Sequence, residues 1–282
     1  MEEHMMTQDM LEAYVHALLL RECEASTIEK YKRDILFFCQ YIGWKRGIQK
    51  ETVSRWKADL MQKGYAVSTI NGKLAAVNSL FAFLGWQECM VKALKRQKRI
   101  FLEKEKELTK EEYLRLVKTA GAKGKERLML VMQTICATGI RVSELRNITV
   151  EAVRSGCAEV DCKGKRRIIF LPKKLQRMLE RYIRRQKLVS GPVFLTRTGN
   201  PLNRSNIWQE MKALCQDARV DAKKVFPHNL RHLFARTFYS IEKDIAKLAD
   251  LLGHASIETT RIYIMESGET HRKRLEQMRL IL

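Results

Sequence analysis

The chain has 282 residues, 45% of them hydrophobic, which is enough for about two domains with apolar cores and excludes a disordered tail. Its 53 lysines and arginines outnumber its 32 aspartates and glutamates, and the formal net charge of +21 makes nucleic acid the first partner to consider. A membrane surface is the rival partner, but the sequence has no uninterrupted apolar run long enough to span a bilayer.

The N-terminus and the cysteines indicate the cytosol. The segment Met1–Met5 is acidic and lacks the basic and apolar regions of a signal peptide, so we expect a cytoplasmic, nucleoid-associated protein. The seven cysteines are scattered and form no Cys-x-x-Cys motif, which is typical of reduced thiols. Cys157 and Cys162 lie close together, but no second pair completes a zinc site, so we expect no metal.

Four amphipathic helices are predicted in the first part of the chain. Apolar residues recur at helical spacing over residues 7–20, 26–42, about 51–62 and 68–84. The predicted N-caps are Thr7, Ser26 and Ser68, and the residues that end three of the helices are Gly43, Gly64 and Gly85. Short helices with short connections form a small bundle, and we place this first domain at residues 1–91. Lys73 and Lys32 are candidates for DNA contacts on its polar faces.

A charged segment separates this bundle from a second domain. Residues 92–107 begin with lysines and arginines and continue with alternating Glu and Lys, so we interpret them as an interdomain linker. The basic first half could follow a phosphate backbone. Thr109–Glu112 is a capping box, which predicts that a new helix and the second domain, residues 108–282, begin there. A further helix is predicted from about 125 to 138, ending at Gly139.

A β-hairpin is predicted at Val160–Leu171, with its turn at Lys163-Gly164-Lys165. Between Lys163 and Lys187 there are eleven basic residues and one acidic residue, and we expect this stretch to face DNA. The hairpin candidates for DNA contacts are Lys165, Arg166 and Arg167. The plainer alternative, compatible with the first, is a soluble helix over residues 173–188 with a basic outer face.

The rest of the second domain is predicted to be mainly helical. Val193–Phe194 is expected to form a short strand. Asn203 or Ser205 is expected to cap a helix that runs to about residue 217, and further helices cover residues 228–264.

Three motifs in the second domain carry groups that suit a phosphate. They are Ala137–Leu145, Pro227–His232 and Leu251–Tyr263. The first motif contains Arg141, and the second places His228 and Arg231 on one helix face. In the third, Gly253 is expected to end one helix and Ser256 to cap the next, which contains Tyr263. Arginine binds phosphate oxygens through a planar fork, histidine moves protons near neutral pH, and tyrosine can be a covalent nucleophile.

These motifs resemble the signature boxes of the tyrosine recombinases, also called phage integrases. The matching residues are Arg141 in Thr-Gly-x-Arg-x-Ser-Glu-Leu, His228-x-x-Arg231-His232, Leu252-Gly253-His254 and Thr259-Thr260-x-x-Tyr263. Four boxes in this order, with the tyrosine near the C-terminus, make the resemblance specific. Ser26-Thr27-x-x-x-Tyr31-x-x-Asp34 and Ser68–Asn71 resemble the core-binding domain of the same family.

The resemblance implies a mainly α fold with a small β-hairpin. An N-terminal SAM-like four-helix core-binding domain would precede a C-terminal α+β catalytic domain. It also implies a site-specific recombinase that cuts and rejoins double-stranded DNA through a 3′-phosphotyrosyl intermediate, without a cofactor. The implied partners are DNA and further copies of the chain, in a tetramer on paired sites. An accessory DNA-bending protein or a partner recombinase is a candidate further partner.

The resemblance also assigns roles to individual residues. Tyr263 would be the nucleophile, Arg141 and Arg231 would stabilise the transition state, and His254 would donate a hydrogen bond to a phosphate oxygen. His228 would accept the tyrosine proton. Glu144 is interpreted as orienting Arg141 or a histidine, whereas Asn229 and His232 are interpreted as structural.

A lysine on the hairpin turn would protonate the departing 5′ oxygen. Lys163 fits best because it precedes the glycine, and Lys165 is the alternative if the turn flips. The family's usual Gly-Lys-Gly is replaced here by Cys162-Lys163-Gly164, which leaves the geometry of the turn open.

Several functions remain to be distinguished. The leading biological role is the integration or excision of a mobile element, and Xer-like resolution of chromosome or plasmid dimers is the alternative. A non-catalytic DNA-binding protein of this fold and a relaxing topoisomerase are further alternatives. Residues 269–282 have apolar positions at helical spacing, which predicts a tail helix that docks either on a neighbouring subunit or on its own domain.

Overall fold

The computed structural model describes residues 4–44, 47–95, 107–162, 165–264, 272 and 276–278. The chain divides into two units, Met1–Lys98 and Arg99–Leu282. This division falls inside the segment that we interpreted as a linker, while the predicted domain limits themselves stay a prediction.

The first unit contains the four predicted helices. They are α1 (Gln8–Leu20), α2 (Ala25–Ile42), α3 (Lys50–Gln62) and α4 (Val67–Leu84). Their inward faces bury a core rich in aromatic side chains, including Tyr14, Phe38, Trp56 and Phe81. This packing stabilises helices that would be marginal alone.

Two of the predicted N-caps are wrong. Helix α2 begins after Glu24 and α4 after Ala66, and neither of these residues makes a side-chain cap bond. Ser26 and Ser68 therefore lie inside the first turns, because burial of the apolar faces outweighs cap preference. Thr7 does cap α1, since its hydroxyl accepts a hydrogen bond from the Met10 N–H at 3.3 Å.

Helix α4 is long and apolar enough to cross a membrane by length and composition. Its apolar stripe, however, belongs to the core of the first unit, where Ile70, Leu74, Val77 and Leu80 are buried. The apolar character of α4 is therefore explained by its place in the bundle.

Lys73 on α4, a predicted DNA contact, is largely buried. Its side chain is only 12% exposed, and its Nζ lies 3.4 Å from Asp34 Oδ1 and 3.8 Å from the centre of the Phe37 ring. The Asp34 carboxylate is itself buried and needs cationic partners, which Lys73 and Lys30 supply. Lys73 therefore links α4 to α2, and a DNA contact at Lys73 stays a prediction.

The described part of the second unit contains helices and one β-hairpin. The helices are α5 (Lys110–Ala122), α6 (Glu126–Thr138), α7 (Val150–Ser155), α8 (Lys173–Arg185), α9 (Arg204–Lys212), α10 (Pro227–Glu242), α11 (Ile245–Leu252) and α12 (Ile257–Ile264). Strands β1 (Cys157–Cys162) and β2 (Lys165–Phe170) pair antiparallel, with Cys157 opposite Phe170. The mainly α fold with a small hairpin is thus confirmed.

The predicted capping box at the start of α5 is confirmed. The Glu112 N–H donates to Thr109 Oγ1 at 3.2 Å, and the Thr109 N–H donates to the Glu112 carboxylate at 2.8 Å. At the start of α9, Asn203 rather than Ser205 is the cap, since Asn203 Oδ1 accepts from the Asn206 N–H at 2.9 Å.

Two other predictions in this unit are wrong. Helix α9 ends at Lys212 and gives way to turns well before residue 217. Val193–Phe194 forms no strand, although both residues are buried and the Val193 N–H donates to the Ile148 carbonyl at 2.9 Å. Pro192 and Pro201 each take part only in an isolated bridge, because proline has no N–H to extend a ladder.

A small apolar cluster joins α10, α11 and α12. Ala235 of α10, Leu248 and Leu252 of α11, and Tyr263 of α12 are all buried in it. Helix α10 also packs against α6. The predicted tail helix, by contrast, lies outside the described residues except for Arg272 and residues 276–278.

Candidate active site

Arg231 is a buried arginine that faces the ends of two helices. It lies on α10 and is only 2% exposed, which is rare for arginine. Its Nη1 donates to the carbonyl of Gly139, which caps α6, and its Nη2 donates to the carbonyl of Leu252 at 2.7 Å. The last carbonyls of a helix lack intrahelical partners and carry partial negative charge, so they suit a guanidinium.

Arg141 approaches the same place from the turn that follows α6. Its Nη1 donates to Glu144 Oε1 at 2.7 Å, and its main-chain N–H donates to Glu144 Oε2 at 2.8 Å. Its Nη2 donates to the Gly253 carbonyl at 3.2 Å. The interpretation of Glu144 as a residue that orients Arg141 is consistent with these contacts.

Arg167 is a third member of the cluster, which sequence reasoning did not predict. Its side chain is only 9% exposed, its Nη2 donates to the Glu144 carboxylate, and its Nη1 donates to the Leu251 carbonyl at 2.8 Å. Its guanidinium is therefore turned inward, and the role of Arg167 as a DNA contact stays a prediction.

Three guanidinium groups thus hold three successive carbonyls at the end of α11. Arg167 binds Leu251, Arg231 binds Leu252 and Arg141 binds Gly253. Gly253 has a left-handed backbone with φ of 63°, and a Cβ atom there would lie 2.7 Å from Arg167 Cδ. Glycine at this position therefore permits both the turn and the close approach of Arg167.

The carboxylate of Glu144 stays ionised within this cluster. Burial alone raises the pKa of Glu144, but hydrogen bonds from Arg141 and the positive charges of Arg167 and Arg141 outweigh it. The pKa of Glu144 therefore lies below its usual value. Its single negative charge offsets only part of the positive charge of three arginines, which leaves the cluster ready to accept an anion.

The other hairpin candidates stand apart from this cluster. The side chain of Arg166 is 81% exposed and lies 3.4 Å from Asp161, so it is accessible to a partner. Lys163 and Gly164 lie outside the described residues, as does the side chain of Lys165. The roles predicted for Lys163 and Lys165 therefore stay predictions.

Three histidines lie beside the arginines, and burial keeps them neutral at pH 7. Burial and the charge of Arg231 lower the pKa of His228. Burial, His228 and Arg231 lower the pKa of His232 to about 4. Burial and the charges of Arg231, Arg141 and Arg167 lower the pKa of His254 to about 4.

The contacts of His254 determine which of its nitrogens carries the proton. Its Nε2 lies 3.1 Å from Arg231 Nη2, and its Nδ1 lies 2.8 Å from Thr260 Oγ1. Because a guanidinium can only donate, Nε2 accepts from Arg231 and Nδ1 carries the hydrogen that is donated to Thr260. His254 therefore faces the arginine cluster with an unprotonated nitrogen.

Tyr263 is packed among the three histidine rings. It is 5% exposed, and its ring centre lies 4.4 Å from that of His232, 5.4 Å from that of His254 and 5.7 Å from that of His228. Burial and Arg141 lower the pKa of Arg231 to about 10, and interactions with Tyr263 oppose this fall. The phenol is therefore next to both a positive charge and neutral bases.

His232 is the group in this cluster that sequence reasoning missed. It was interpreted as structural, yet its ring is nearest to Tyr263 and makes an edge contact with His228 at 4.6 Å. The sequence spacing could have predicted this, because residues 228 and 232 are one helical turn apart and therefore share a helix face.

One group of three side chains among the described residues has a composition suited to a metal ion. It consists of His4, Glu88 and Cys89 in the first unit. His4 and Glu88 bind each other, and the buried Cys89 thiol donates to the Ile48 carbonyl at 3.6 Å. Since these atoms already have partners, we assign no metal to them.

Comparisons with known proteins agree with the division of the chain into two units. The family model described as phage integrase family matches residues 106–269, and the model described as phage integrase, N-terminal SAM-like domain, matches residues 11–88. The chain is 31% identical to tyrosine recombinase XerD of Halalkalibacterium halodurans, over 84% of this chain and 86% of that protein. It is 28% identical to tyrosine recombinase XerA of Pyrococcus furiosus, over 100% of this chain and 98% of that protein.

A solved structure resembles the fold over most of the chain. It is a lambda integrase tetramer bound to a Holliday junction, with a TM-score of 0.69 and 18% identity. The likeness covers 90% of this chain and 76% of that one. At this identity, the likeness shows the shared fold.

We predict that Gly253→Ala is more destabilising than Gly124→Ala. Both glycines have a left-handed φ, 63° and 67°, but a Cβ at position 124 meets no atom within 4 Å. The difference in free energy of unfolding, measured by urea denaturation, should be about 1–3 kcal/mol, because the new methyl group displaces Arg167. Equal losses in the two variants would show that the contact between Gly253 and Arg167 is not a tight constraint.

We also predict that stability falls as the pH is lowered from about 6.5 to 4. The pKa values of His232 and His254 are lowered to about 4 in the folded protein, so the unfolded chain binds more protons in this window. The contribution of these two histidines to stability is fully present above the pKa that histidine has in the unfolded chain, and it is lost as the pH falls towards 4. NMR titration of the six histidines should show two rings with midpoints near 4, and thermal unfolding should show a decreasing Tm. Six midpoints near 6.5 would contradict this description of the site.

Proposed function

The chain belongs to the phage integrase family of tyrosine recombinases, and on that premise we propose that it breaks and rejoins DNA through a covalent bond to Tyr263. The observation that carries the proposal is the position of Tyr263, buried among three neutral histidines and next to Arg231. A tyrosine so placed has a base for its proton and a cation for the phosphate that it attacks.

In this proposal the arginine cluster binds the phosphate at the cleavage site. Arg141 and Arg231 present guanidinium groups that are already held in place by helix-end carbonyls, so little reorganisation is needed when the phosphate arrives. A phosphate oxygen is a stronger acceptor than a carbonyl, so it competes successfully for these N–H groups. The same positive charges stabilise the pentavalent transition state.

Proton transfer from Tyr263 is assigned to a neutral histidine. A free tyrosine has a pKa of about 10, so its ionisation at pH 7 costs about 4 kcal/mol. His228 is our choice of base, in keeping with the family motif, and its lowered pKa keeps it unprotonated at pH 7. His232 touches the ring of Tyr263 more closely and holds both groups in place.

His254 has a more specific part in this scheme. Its Nε2 is unprotonated in the free protein, so donating a hydrogen bond to a phosphate oxygen from Nε2 requires a proton there. The negative charge of a bound phosphate favours protonation of the ring. DNA binding is therefore accompanied by proton uptake or by a change of tautomer at His254.

The 5′ oxygen must receive a proton when it leaves, and we propose Lys163 as the donor. Lys165 is the alternative on the same turn. The 3′-phosphotyrosyl bond conserves the energy of the broken phosphodiester, so rejoining needs no nucleotide hydrolysis. The partners proposed are double-stranded DNA and three further copies of the chain, with an accessory DNA-bending protein or a partner recombinase as a further candidate, in the cytoplasm at the nucleoid.

For the biological role we propose integration or excision of a mobile element. Resolution of chromosome or plasmid dimers is a second candidate, which the curated relatives favour, since those reported above are named XerD and XerA and match over 84–100% of this chain. Neither role changes the chemistry proposed for the site.

We predict that Tyr263→Phe abolishes covalent attachment to DNA while the dissociation constant changes by less than about twofold, because only a hydroxyl is lost. The assay uses a nicked suicide substrate, from which the cleaved fragment diffuses away, and detects covalent complexes on a denaturing gel. Tyr239→Phe is the matched control and should still form complexes. Covalent complexes in the Tyr263→Phe variant would exclude Tyr263 as the nucleophile.

The biological role has its own test. Covalent complexes are trapped in cells, and the attached DNA is sequenced. An integrase should be found at the ends of a mobile element and at its insertion site, whereas a dimer resolvase should be found at one fixed site per replicon. Recovery of DNA without any preferred sequence would contradict both roles and favour a relaxing topoisomerase.

A further inference from the structure

Arg167 has an unusual position for a charged residue. It lies on β2 opposite Val160 and shares the inner face of the hairpin with Ile169, while Ile168 and Phe170 on the outer face are exposed. An arginine on the inner face of a strand is costly unless its charge is paired and its N–H groups are bonded. The bonds that its guanidinium makes there are ones that an apolar residue could not make.

The contacts of Arg167 join three separate segments of the chain. From β2 it reaches Glu144, in the turn that holds Arg141, and Leu251, at the end of the helix that precedes His254. Glu144 Oε2 accepts from both Arg167 and the main chain of Arg141. The guanidinium of Arg167 therefore holds the Glu144 carboxylate, which in turn holds Arg141. It also holds the Leu251 carbonyl, three residues before His254.

We propose that Arg167 is a positioning residue that sets the orientation of Arg141, through Glu144, and of His254, through the end of α11. The inference rests on the proposed function, because Arg141 and His254 are the groups that would contact the phosphate. Arg167 itself touches no reacting atom in this scheme. It connects the hairpin, which carries the proposed acid Lys163, to Arg141 and His254, which would contact the phosphate.

The charge of Arg167 gives this proposal a readout that needs no DNA. Arg167 is one of three arginines whose charges lower the pKa of His254 to about 4, and it also lowers the pKa of Glu144. Removing the charge should therefore raise both pKa values. A purely structural arginine elsewhere in the unit should leave them unchanged.

Arg236 is a matched control within the same unit. It too is a partly buried arginine that joins a carboxylate, that of Glu107, to a main-chain carbonyl, that of Leu108 at 2.7 Å. Arg236→Gln removes the same kinds of bond as Arg167→Gln but leaves Glu144 and Leu251 with their partners. The pair of variants therefore separates a general loss of stability from a loss of positioning.

The experiment compares Arg167→Gln, Arg167→Lys and Arg236→Gln. For Arg167→Gln we expect single-turnover cleavage of a suicide substrate at saturating DNA to fall about 10- to 100-fold, the range usual for residues that orient a reacting group. The NMR midpoint of His254 should move up from about 4. For Arg236→Gln, both cleavage and the His254 midpoint should stay close to those of the unchanged protein.

Arg167→Lys keeps a positive charge but cannot donate to two acceptors in fork geometry. We expect it to keep the low His254 midpoint and to recover only part of the cleavage rate. This variant also keeps the proposal testable if Arg167→Gln does not fold. Cleavage by Arg167→Lys at the full rate would show that the two-ended contact is unnecessary and would overturn the proposal.

A substrate with sulfur in place of the leaving 5′ oxygen shows whether Arg167 acts through Arg141 and His254 or through the acid on the hairpin turn. A thiolate leaves without a proton donor, so it bypasses the acid on the hairpin turn. If Arg167 acts through Arg141 and His254, the defect of Arg167→Gln should persist on this substrate. Full rescue by sulfur would overturn the proposal, because it would show that Arg167 acts only on the hairpin acid.

Failure of this proposal is distinguishable from failure of the proposed function. If Tyr263 is not the nucleophile, Tyr263→Phe still forms covalent complexes, whatever happens at Arg167. If Arg167 is not a positioning residue, Arg167→Gln cleaves at the rate of the unchanged protein while Tyr263→Phe is inactive.

Discussion

The bonds between three guanidinium groups and the end of α11 are the constraint on which the site depends. The carbonyls of residues 251, 252 and 253 lie where a helix has acceptors without internal partners, and each one takes a different arginine. Three positive charges are thereby held close together, and a single carboxylate, that of Glu144, lies between Arg141 and Arg167. The repulsion that remains is evident in the pKa of Arg231, which burial and Arg141 lower to about 10. Such a cluster is stabilised by an anion, and a DNA phosphate supplies one.

The same positive field determines the state of the histidines. Burial lowers the pKa values of His228, His232 and His254, and the arginines lower them further, so neutral rings surround Tyr263. A protonated ring could not accept the phenol proton. An arriving phosphate reverses part of this effect, because its negative charge favours protonation of a nearby ring. The arrangement therefore links phosphate binding to the protonation of the groups that act on it.

The sequence predicted the family, the helical bundle and most of the residues that meet at the site, because these depend on motif order and helical spacing. These residues are Arg141, His228, Arg231, His254 and Tyr263. It did not predict which way side chains face. Both faces of β2 carry apolar residues, Ile168 and Phe170 on one and Ile169 on the other, so alternation could not show that Arg167 points inward. The partners of Lys73 were not predicted for a similar reason, since its ammonium is directed by Asp34 on another helix. Contacts between distant segments, such as that of Arg167 with Leu251, are set by tertiary packing and leave no local pattern.

The most direct test of this account is to identify the amino acid that becomes attached to DNA. The protein is trapped on a suicide substrate, digested with trypsin and nuclease, and analysed by mass spectrometry. The account predicts a nucleotide adduct on the peptide Ile262–Arg272, at Tyr263. An adduct on another tyrosine, or on a serine or histidine, would contradict it.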